Sequence, residues 1–188
     1  VTVTDNNGCI TSETITLNEP AILSSSITGT NLDCYQDNSG AIDLTVTGGT
    51  PNTTAPLYTF NWTGPAGYTS SIEDPQNLAA GTYNVTVTDN NGCISTPSIL
   101  ITEPAILSSS ITGTNLDCYQ DNSGTIDLTI TGGTVNYIFE WTGPTGYTSS
   151  IEDPQNLAAG TYNVTVTDNN GCITSETITL NEPAILSS

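Results

Sequence analysis

Gly81-Thr82-Tyr83-Asn84-Val85-Thr86-Val87-Thr88-Asp89-Asn90-Asn91-Gly92-Cys93 is the stretch that decides the fold. Tyr83, Val85 and Val87 alternate with Asn84, Thr86 and Thr88, the period of a half-buried β-strand. Asp89-Asn90-Asn91-Gly92 follows as a hairpin turn, because Asn and Gly tolerate positive φ. Leu78-Ala79-Ala80, just upstream, leads into Tyr83 as a tyrosine corner would, and Leu157 to Tyr162 has the same form. The motif VTVTDNNGC begins at Val1, Val85 and Val164, at spacings of 84 and 79 residues. The difference lies in one loop: Gly48 to Trp62 spans 14 positions and Gly132 to Trp141 spans 9. A loop that tolerates deletion is exposed. A period of about 80 is too long for a solenoid unit of about 20–50 residues and fits a small domain in tandem.

Working outward, Ile42, Leu44 and Val46 alternate with Asp43, Thr45 and Thr47, and Tyr58, Phe60 and Trp62 with Thr59 and Asn61. The second copy repeats this at Ile126, Leu128 and Ile130, at Tyr137, Phe139 and Trp141, and at Tyr162, Val164 and Val166. Gly, Pro and Asn interrupt every stretch long enough for an amphipathic helix. The expected strands are A (Ile22–Leu32), B (Ile42–Thr47), C (Tyr58–Trp62), short strands through Tyr68–Ile72, F (Thr82–Thr88) and G (Ile94–Thr102). About seven short alternating strands with a Trp on the third read as an all-β, immunoglobulin-like sandwich. Boundaries fall at Glu19-Pro20, Glu103-Pro104 and Glu182-Pro183, where Pro stops a strand and stiffens a short connection. Residues 1–19 are expected to be the last strands, F and G, of a preceding repeat. Residues 20–103 and 104–182 are one Ig-like repeat each, and 183–188 start the next. Such units are expected to line up end to end as a rod.

Lys, Arg and His are absent from the 188 residues, against 19 Asp plus Glu, for a formal charge of −19. Acids must be solvated, bound by backbone N–H groups or neutralised by cations. Nucleic-acid binding, which needs Lys and Arg, is excluded, and anionic membrane surfaces are disfavoured. Imidazole catalysis, Schiff-base chemistry and Lys–Asn isopeptide cross-links have no residues to use. No apolar run approaches the roughly 20 residues of a membrane span. The adjacent acids Glu73-Asp74 and Glu152-Asp153 sit on loops and do not face one cleft as paired glycosidase carboxylates must. The chain is read as non-catalytic.

Leu32-Asp33-Cys34 followed by Asn38-Ser39-Gly40, then Gly48-Gly49-Thr50, the aromatics Tyr58, Phe60 and Trp62, Gly81-Thr82-Tyr83 and Asp89-Asn90-Asn91-Gly92-Cys93 occur in that order. The second copy matches at Cys118, Gly132-Gly133-Thr134, Trp141, Gly160-Thr161-Tyr162 and Gly171-Cys172. This text resembles the SprB-type repeat of large secreted Bacteroidetes adhesins, near the PKD-like and Ig-like modules. The resemblance implies export to the cell surface by the type IX route and a role in adhesion or gliding. It supplies no catalytic residues. The family often has Pro-Tyr after Gly-Gly-Thr; here one copy has a Thr-rich insert and the other Val-Asn-Tyr.

Five cysteines occur: Cys9, Cys34, Cys93, Cys118 and Cys172. In a surface protein they are disulfide candidates. Pairing within a unit would join Cys34 to Cys93 and Cys118 to Cys172. In an Ig-like sandwich, however, strand A ends on one rim and the F–G hairpin on the other. A strand of about seven residues spans roughly 23 Å, whereas a disulfide needs Cα atoms within about 7 Å. Cys34 with Cys172, across the junction of two units, is therefore favoured, and the within-unit pairs and free thiols stay open. Asp33, Asp37, Glu73, Asp74, Glu103 and Asp168 are expected near the same junction. Ca²⁺ takes about six to eight oxygen ligands, so a junction Ca²⁺ is one expectation and Asp/Asn turn chemistry the other.

Asn52, Asn61, Asn84 and Asn163 open N-x-[ST] triplets, as a Thr-rich chain produces by chance. Tyr68 and Tyr147 beside Gly-Pro turns suit packing or stacking on sugar rings. The leading expectation is a stalk segment of a repetitive extracellular adhesin whose partners are the neighbouring repeats. The alternatives are a polysaccharide-binding repeat and a self-assembling filament that pairs strand edges.

Overall fold

A computed structural model describes residues 1–186. Ser187 and Ser188, the end of the expected next-repeat start, lie outside the described residues. At the N-terminal end, β1 (Thr2–Thr4) and β2 (Ile10–Ser12) form an isolated antiparallel hairpin. The next elements are β3 (Ser24–Thr30), β4 (Gly40–Thr47), β5 (Thr59–Thr63), β6 (Thr69–Ser70), β7 (Gln76–Leu78), β8 (Gly81–Thr88), β9 (Ile94–Ser95) and β10 (Ser98–Ile101). They form one sheet in the order β3-β4-β7 and a second in the order β10-β8-β5-β6, with β9 also on β8. The remaining elements are β11 (Ser108–Thr114), β12 (Gly124–Thr131), β13 (Ile138–Thr142), β14 (Thr148–Ser149), β15 (Gln155–Leu157), β16 (Gly160–Thr167) and β17 (Ile173–Leu180). Their sheets are β11-β12-β15 and β14-β13-β16-β17, the same pairing again. All ladders are antiparallel, and among the described residues no sheet mixes strands of the two sets.

Each set encloses its own core. In the first, Ile42 and Leu44 from one sheet meet Phe60, Trp62, Tyr83, Val85 and Val87 from the other. In the second, Ile126 and Leu128 meet Trp141, Tyr162, Val164 and Val166. The period-two alternation read from the sequence therefore marks the buried faces of β4, β8, β12 and β16. Trp62 is 0% exposed, and its indole N–H donates to the Ile72 carbonyl at 2.9 Å. Trp141 does the same to Ile151 at 2.8 Å. An indole buried with its N–H satisfied is worth about 3–5 kcal/mol against Ala.

Tyr83 Oη donates to the carbonyl of Ala79 at 2.9 Å, and Tyr162 Oη to that of Ala158 at 2.9 Å. These are tyrosine corners: the ring enters the core while the hydroxyl ties off the bend before the strand. Tyr68 and Tyr147 are half-buried and lie edge-on to Tyr83 and Tyr162, each with centroids 5.3 Å apart. Packing against the corner tyrosines holds these rings in place.

Strand G differs between the repeats. The expected single strand Ile94–Thr102 is split into β9 and β10 around Thr96-Pro97, because Pro97 has no N–H for the ladder and is tolerated at an edge. Glu176 takes that position in the second repeat, opposite Val164, and β17 runs unbroken. Strands A and G close the sandwich edge. A Cβ on Gly29 would stand 2.6 Å from Ile101 Cδ1, so glycine lets β3 approach β10. The loop that differs in length returns to the same anchor in both copies: Tyr58 Oη donates to the Gly48 carbonyl and Tyr137 Oη to that of Gly132.

Tyr83→Phe removes one hydrogen bond and leaves the Ala79 carbonyl unpaired. Calorimetry is expected to show the first repeat losing about 1 kcal/mol, or about 4–8 °C in Tm, with the second repeat unmoved.

Candidate functional site

The place where the two sets of strands meet is built from acids and backbone. Beyond β3, Leu32 N–H donates to the Thr102 carbonyl at 3.0 Å, and Thr102 N–H to Asn31 Oδ1 at 2.9 Å. Leu32 is buried, so the chain is pinned before it turns. Asp37 then organises the loop. Its Oδ2 accepts Cys34 N–H at 2.8 Å, and its Oδ1 accepts the N–H and hydroxyl of Ser39 at 2.9 and 2.7 Å. Ser39 Oγ in turn accepts Asp33 N–H at 2.7 Å. Glu103, in the connection, accepts Gln36 N–H at 2.8 Å. The Ser39 donors hold the Asp37 carboxyl below its ordinary range.

Facing this rim is the β16–β17 hairpin. Asp168 Oδ1 accepts the N–H groups of Asn170 and Cys172 at 2.9 and 2.8 Å, and Oδ2 accepts that of Thr134 at 2.8 Å. Asp168 is buried, which pushes its pKa up, but the N–H donors outweigh this and hold it below the ordinary value. Gly133 adopts φ +62 beside it, where a Cβ would stand 2.8 Å from Asp168 Oδ2. The carboxylate therefore fixes both the hairpin and the Gly-Gly-Thr segment next to it.

Across this gap Cys34 and Cys172 form a disulfide, with Cα atoms 5.7 Å apart. Both cysteines are half-buried. The within-unit pairs Cys34–Cys93 and Cys118–Cys172 do not form, since each would have to span the length of a sandwich. Beside the bridge, Asn170 Nδ2 donates to the Asp33 carbonyl at 2.9 Å. Tyr35 and Ile173 remain exposed there, at 43% and 65%. The junction is thin, and its sulfur bridge is the strong fastening.

The six acids are not gathered as expected. Asp33, Asp37 and Glu103 lie on one rim, with Asp168 on the other. Glu73 and Asp74 do not reach the junction: Asp74 Oδ1 accepts Leu44 N–H at 2.9 Å, on the flank of the sandwich. The reason is the short strand β7, whose register shifts at Gly40/Ala41, so that Pro75 and Asp74 complete the β4 ladder instead. Asp153 does the same for Leu128. Burial, then the charges of Asp74 and Asp43, raise the Glu73 pKa. Among the described residues no group of three or more His, Cys, Asp or Glu is placed to hold a metal ion.

Paired sheets with a buried Trp on the third strand and a tyrosine corner define tandem immunoglobulin-like sandwiches. Two stretches of the chain, residues 26–67 and 110–146, match the SprB repeat family. No curated protein is similar to it in sequence. Among solved structures, the amphioxus IgVJ-C2 molecule is 15% identical with a TM-score of 0.34, covering 69% of this chain and 91% of that one. A structure described as the basis for Dscam isoform specificity is 14% identical with a TM-score of 0.36, covering 85% and 47%. Murine CEACAM1b is 14% identical with a TM-score of 0.33, covering 85% and 100%. The fold assignment rests on the strand pairing, not on these distant likenesses.

Asp37, Asp89, Asp121 and Asp168 all have folded-state pKa values below their ordinary ones. Their contribution is present above the unfolded value of about 4 and is lost as pH falls through the lower folded values. Raised Glu73 acts in the opposite sense and is outnumbered. Thermal melts are expected to hold level from pH 7 to about 5 and to fall below about 4. Asp168→Asn is expected to cost the second repeat about 2 kcal/mol at pH 7 and to make its acid loss shallower.

Proposed function

We propose that this chain is a stalk segment of a large, secreted cell-surface adhesin, non-catalytic, exported by the type IX route and built to transmit tension. The SprB repeat is a mark of cell-surface, adhesin-type repeat regions. Among the described residues no helix is long and apolar enough to cross a membrane.

The observation that carries the reading is the Cys34–Cys172 bridge. A pull on the two ends runs along β3 to Cys34, across the sulfur atoms to Cys172, and out along β17. The 138-residue separation between them is taken out of the covalent path. Most of both sandwiches is thereby relieved of tension, and a stretched stalk is limited in how far it lengthens. The proline at each connection and the like charge on every repeat favour an extended arrangement. Acids committed to backbone N–H groups serve shape, not chemistry.

Single-molecule pulling from the termini tests this. The oxidised chain is expected to release about 500 Å less contour length than the chain reduced beforehand, the extended length of the bypassed segment. Equal contour lengths in the two states would refute a tension-bearing bridge.

A further inference from the structure

Asn170-Gly171 and Asn91-Gly92 are exposed at the tips of the β16–β17 and β8–β9 hairpins. In an Asn-Gly pair the main-chain nitrogen reaches the side-chain carbonyl with least obstruction, because Gly carries no Cβ. Such an asparagine loses ammonia spontaneously, without an enzyme or cofactor. We propose that Asn170 is a modification site governed by the junction: it is shielded from deamidation while Cys34 and Cys172 are bonded, it deamidates once they part, and its product no longer fits the junction.

The two hairpins are matched in sequence and in frame. Residues 168–173 repeat 89–94 letter for letter. Gly171 N–H donates to the Asp168 carbonyl and Gly92 N–H to that of Asp89, each at 3.1 Å, and the two glycines have φ +88 and +85. Asp168 Oδ1 and Asp89 Oδ1 each accept the asparagine N–H at 2.9 Å. The nitrogens that would attack are therefore held alike. What differs is the amide that must leave. Asn91 Nδ2 donates to Thr50 Oγ1 of its own repeat at 3.0 Å. Thr134 takes the place of Thr50 in the second repeat, but Asn170 Nδ2 donates instead across the junction, to the Asp33 carbonyl at 2.9 Å.

The tether on Asn170 is the firmer one. A threonine Oγ1 moves whenever its χ1 changes rotamer, whereas the Asp33 carbonyl belongs to the main chain of a pinned loop. Asp33 N–H donates to Ser39 Oγ at 2.7 Å and Cys34 N–H to Asp37 Oδ2 at 2.8 Å. The disulfide one residue further on holds that loop against the hairpin. Cyclisation must swing Asn170 Cγ onto the Gly171 nitrogen, so the bond to Asp33 has to break first. With the sulfur bridge closed it re-forms at once; with the bridge open the thin junction parts and the amide is free.

The chemistry needs only water. Base in solution takes the Gly171 N–H proton, and the nitrogen attacks Asn170 Cγ. The Cγ–Nδ2 bond breaks, and Nδ2 takes up a proton from solvent and leaves as ammonia. One water then opens the cyclic imide at either carbonyl. One opening leaves an aspartyl residue at position 170. The other leaves an isoaspartyl residue, whose main chain runs through the former side-chain methylene. One water enters, one ammonia leaves, and no electrons are transferred. Both products lose the donor that met Asp33 and add a carboxylate where Asp33, Asp37 and Asp168 already stand. The isoaspartyl product also lengthens the turn between Asp168 and Cys172, whose 2.8 Å bond aims Cys172 at Cys34. Opening of the bridge is thus recorded in a form that reoxidation does not undo. Shielding belongs to the closed junction and holds whether or not tension runs through it.

The test ages the 188-residue chain in dilute, warm, mildly alkaline buffer, once with the bridge intact and once kept reduced. A Glu-specific protease cuts after Glu73 and Glu140 around Asn91, and after Glu152 and Glu176 around Asn170. Mass spectrometry of those peptides, with fragmentation to place the change, follows each site. With the bridge intact Asn170 is expected to deamidate about fivefold more slowly than Asn91, a ratio equal to roughly 1 kcal/mol. In the reduced chain the rates should converge through a rise at Asn170, with Asn91 unchanged. Cys34→Ser should give the reduced result without reductant, and unchanged circular-dichroism melts would show that the variant folds. Aged, reduced chains are then returned to an oxidising glutathione buffer. Molecules modified at Asn170 should be depleted from the bridged fraction, and those modified at Asn91 spread evenly. Equal rates at the two sites in the bridged chain, a rate at Asn170 that reduction leaves unchanged, or an even spread of Asn170 products after reoxidation would overturn the proposal.

Discussion

Asp168 takes N–H bonds from Thr134, Asn170 and Cys172, and through them one carboxylate sets the shape of a hairpin, its neighbouring loop and the direction of a cysteine. Asp89 repeats the arrangement on the other hairpin. Asp37 and Asp121 do similar work on the opposite rims. In a chain with no Lys, Arg or His, these acids have no side-chain cation to pair with. Backbone N–H groups stand in for cations, and charge-assisted bonds of this kind are stronger than neutral ones. The rims are rigid for that reason, and rigid rims are what bring Cys34 and Cys172 within bonding distance.

Much of this was legible in the sequence because it depends on short-range pattern. The alternation through Tyr83, Val85 and Val87 names the buried face of β8 without knowledge of anything else. The tyrosine corner needs only a Tyr and a bend four residues before it. The Cys34–Cys172 pairing needs no coordinates either, only which rim each cysteine occupies in a sandwich. Other features depend on how strands pair, and pattern does not report that. Asp74 reads from the sequence as a junction acid; it is tied to Leu44 instead because β7 is too short to complete the β4 ladder. The break at Thr96-Pro97 was written in the sequence as a proline, but the apolar residues on both sides suggested one continuous strand. Asp168 lies at the junction, yet an acid in an Asp-Asn-Asn-Gly turn reads equally as ligand or cap until its oxygens are seen to be occupied by backbone N–H groups.

The two repeats also act as a natural comparison. They differ at the loop after Gly48-Gly49-Thr50, at Pro97 against Glu176, at the core-facing pairs Ile101/Leu180 and Val46/Ile130, and at exposed positions such as Thr59/Ile138 and Asn61/Glu140. Trp62 and Trp141, the tyrosine corners, the acid-bound turns and the rim cysteines are the same. Polar and length changes fall in exposed loops, on the outward faces of strands and on strand G at the sheet edge, whereas the core-facing changes Val46/Ile130 and Ile101/Leu180 exchange one aliphatic side chain for another. A Pro at such an edge also removes a donor that another chain's strand would use, which discourages sideways pairing. Contacts at the rims, by contrast, are presented identically on both copies.

Why the sulfur bridge lies on the rim can be argued from what the core already has. Immunoglobulin domains commonly join their sheets by a disulfide packed against the buried Trp. Here Ile42, Leu44, Val85 and Val87 share one core with Trp62, whose indole N–H and the Tyr83 hydroxyl are satisfied by backbone carbonyls, and the two sheets close without a sulfur bridge between them. A bridge in that position would stiffen one repeat and leave the next to swing on its proline connection. Placed between Cys34 and Cys172, it leaves both cores unchanged and fixes one repeat against the other. Charge makes the covalent choice the more necessary. Acids on both sides repel, screening beyond about 8–10 Å leaves only those at the junction to matter, and one amide-to-carbonyl hydrogen bond of about 1 kcal/mol cannot hold two repeats together against them. With lysine absent, an isopeptide link is closed to this chain, and a disulfide is the cross-link its own residues can form.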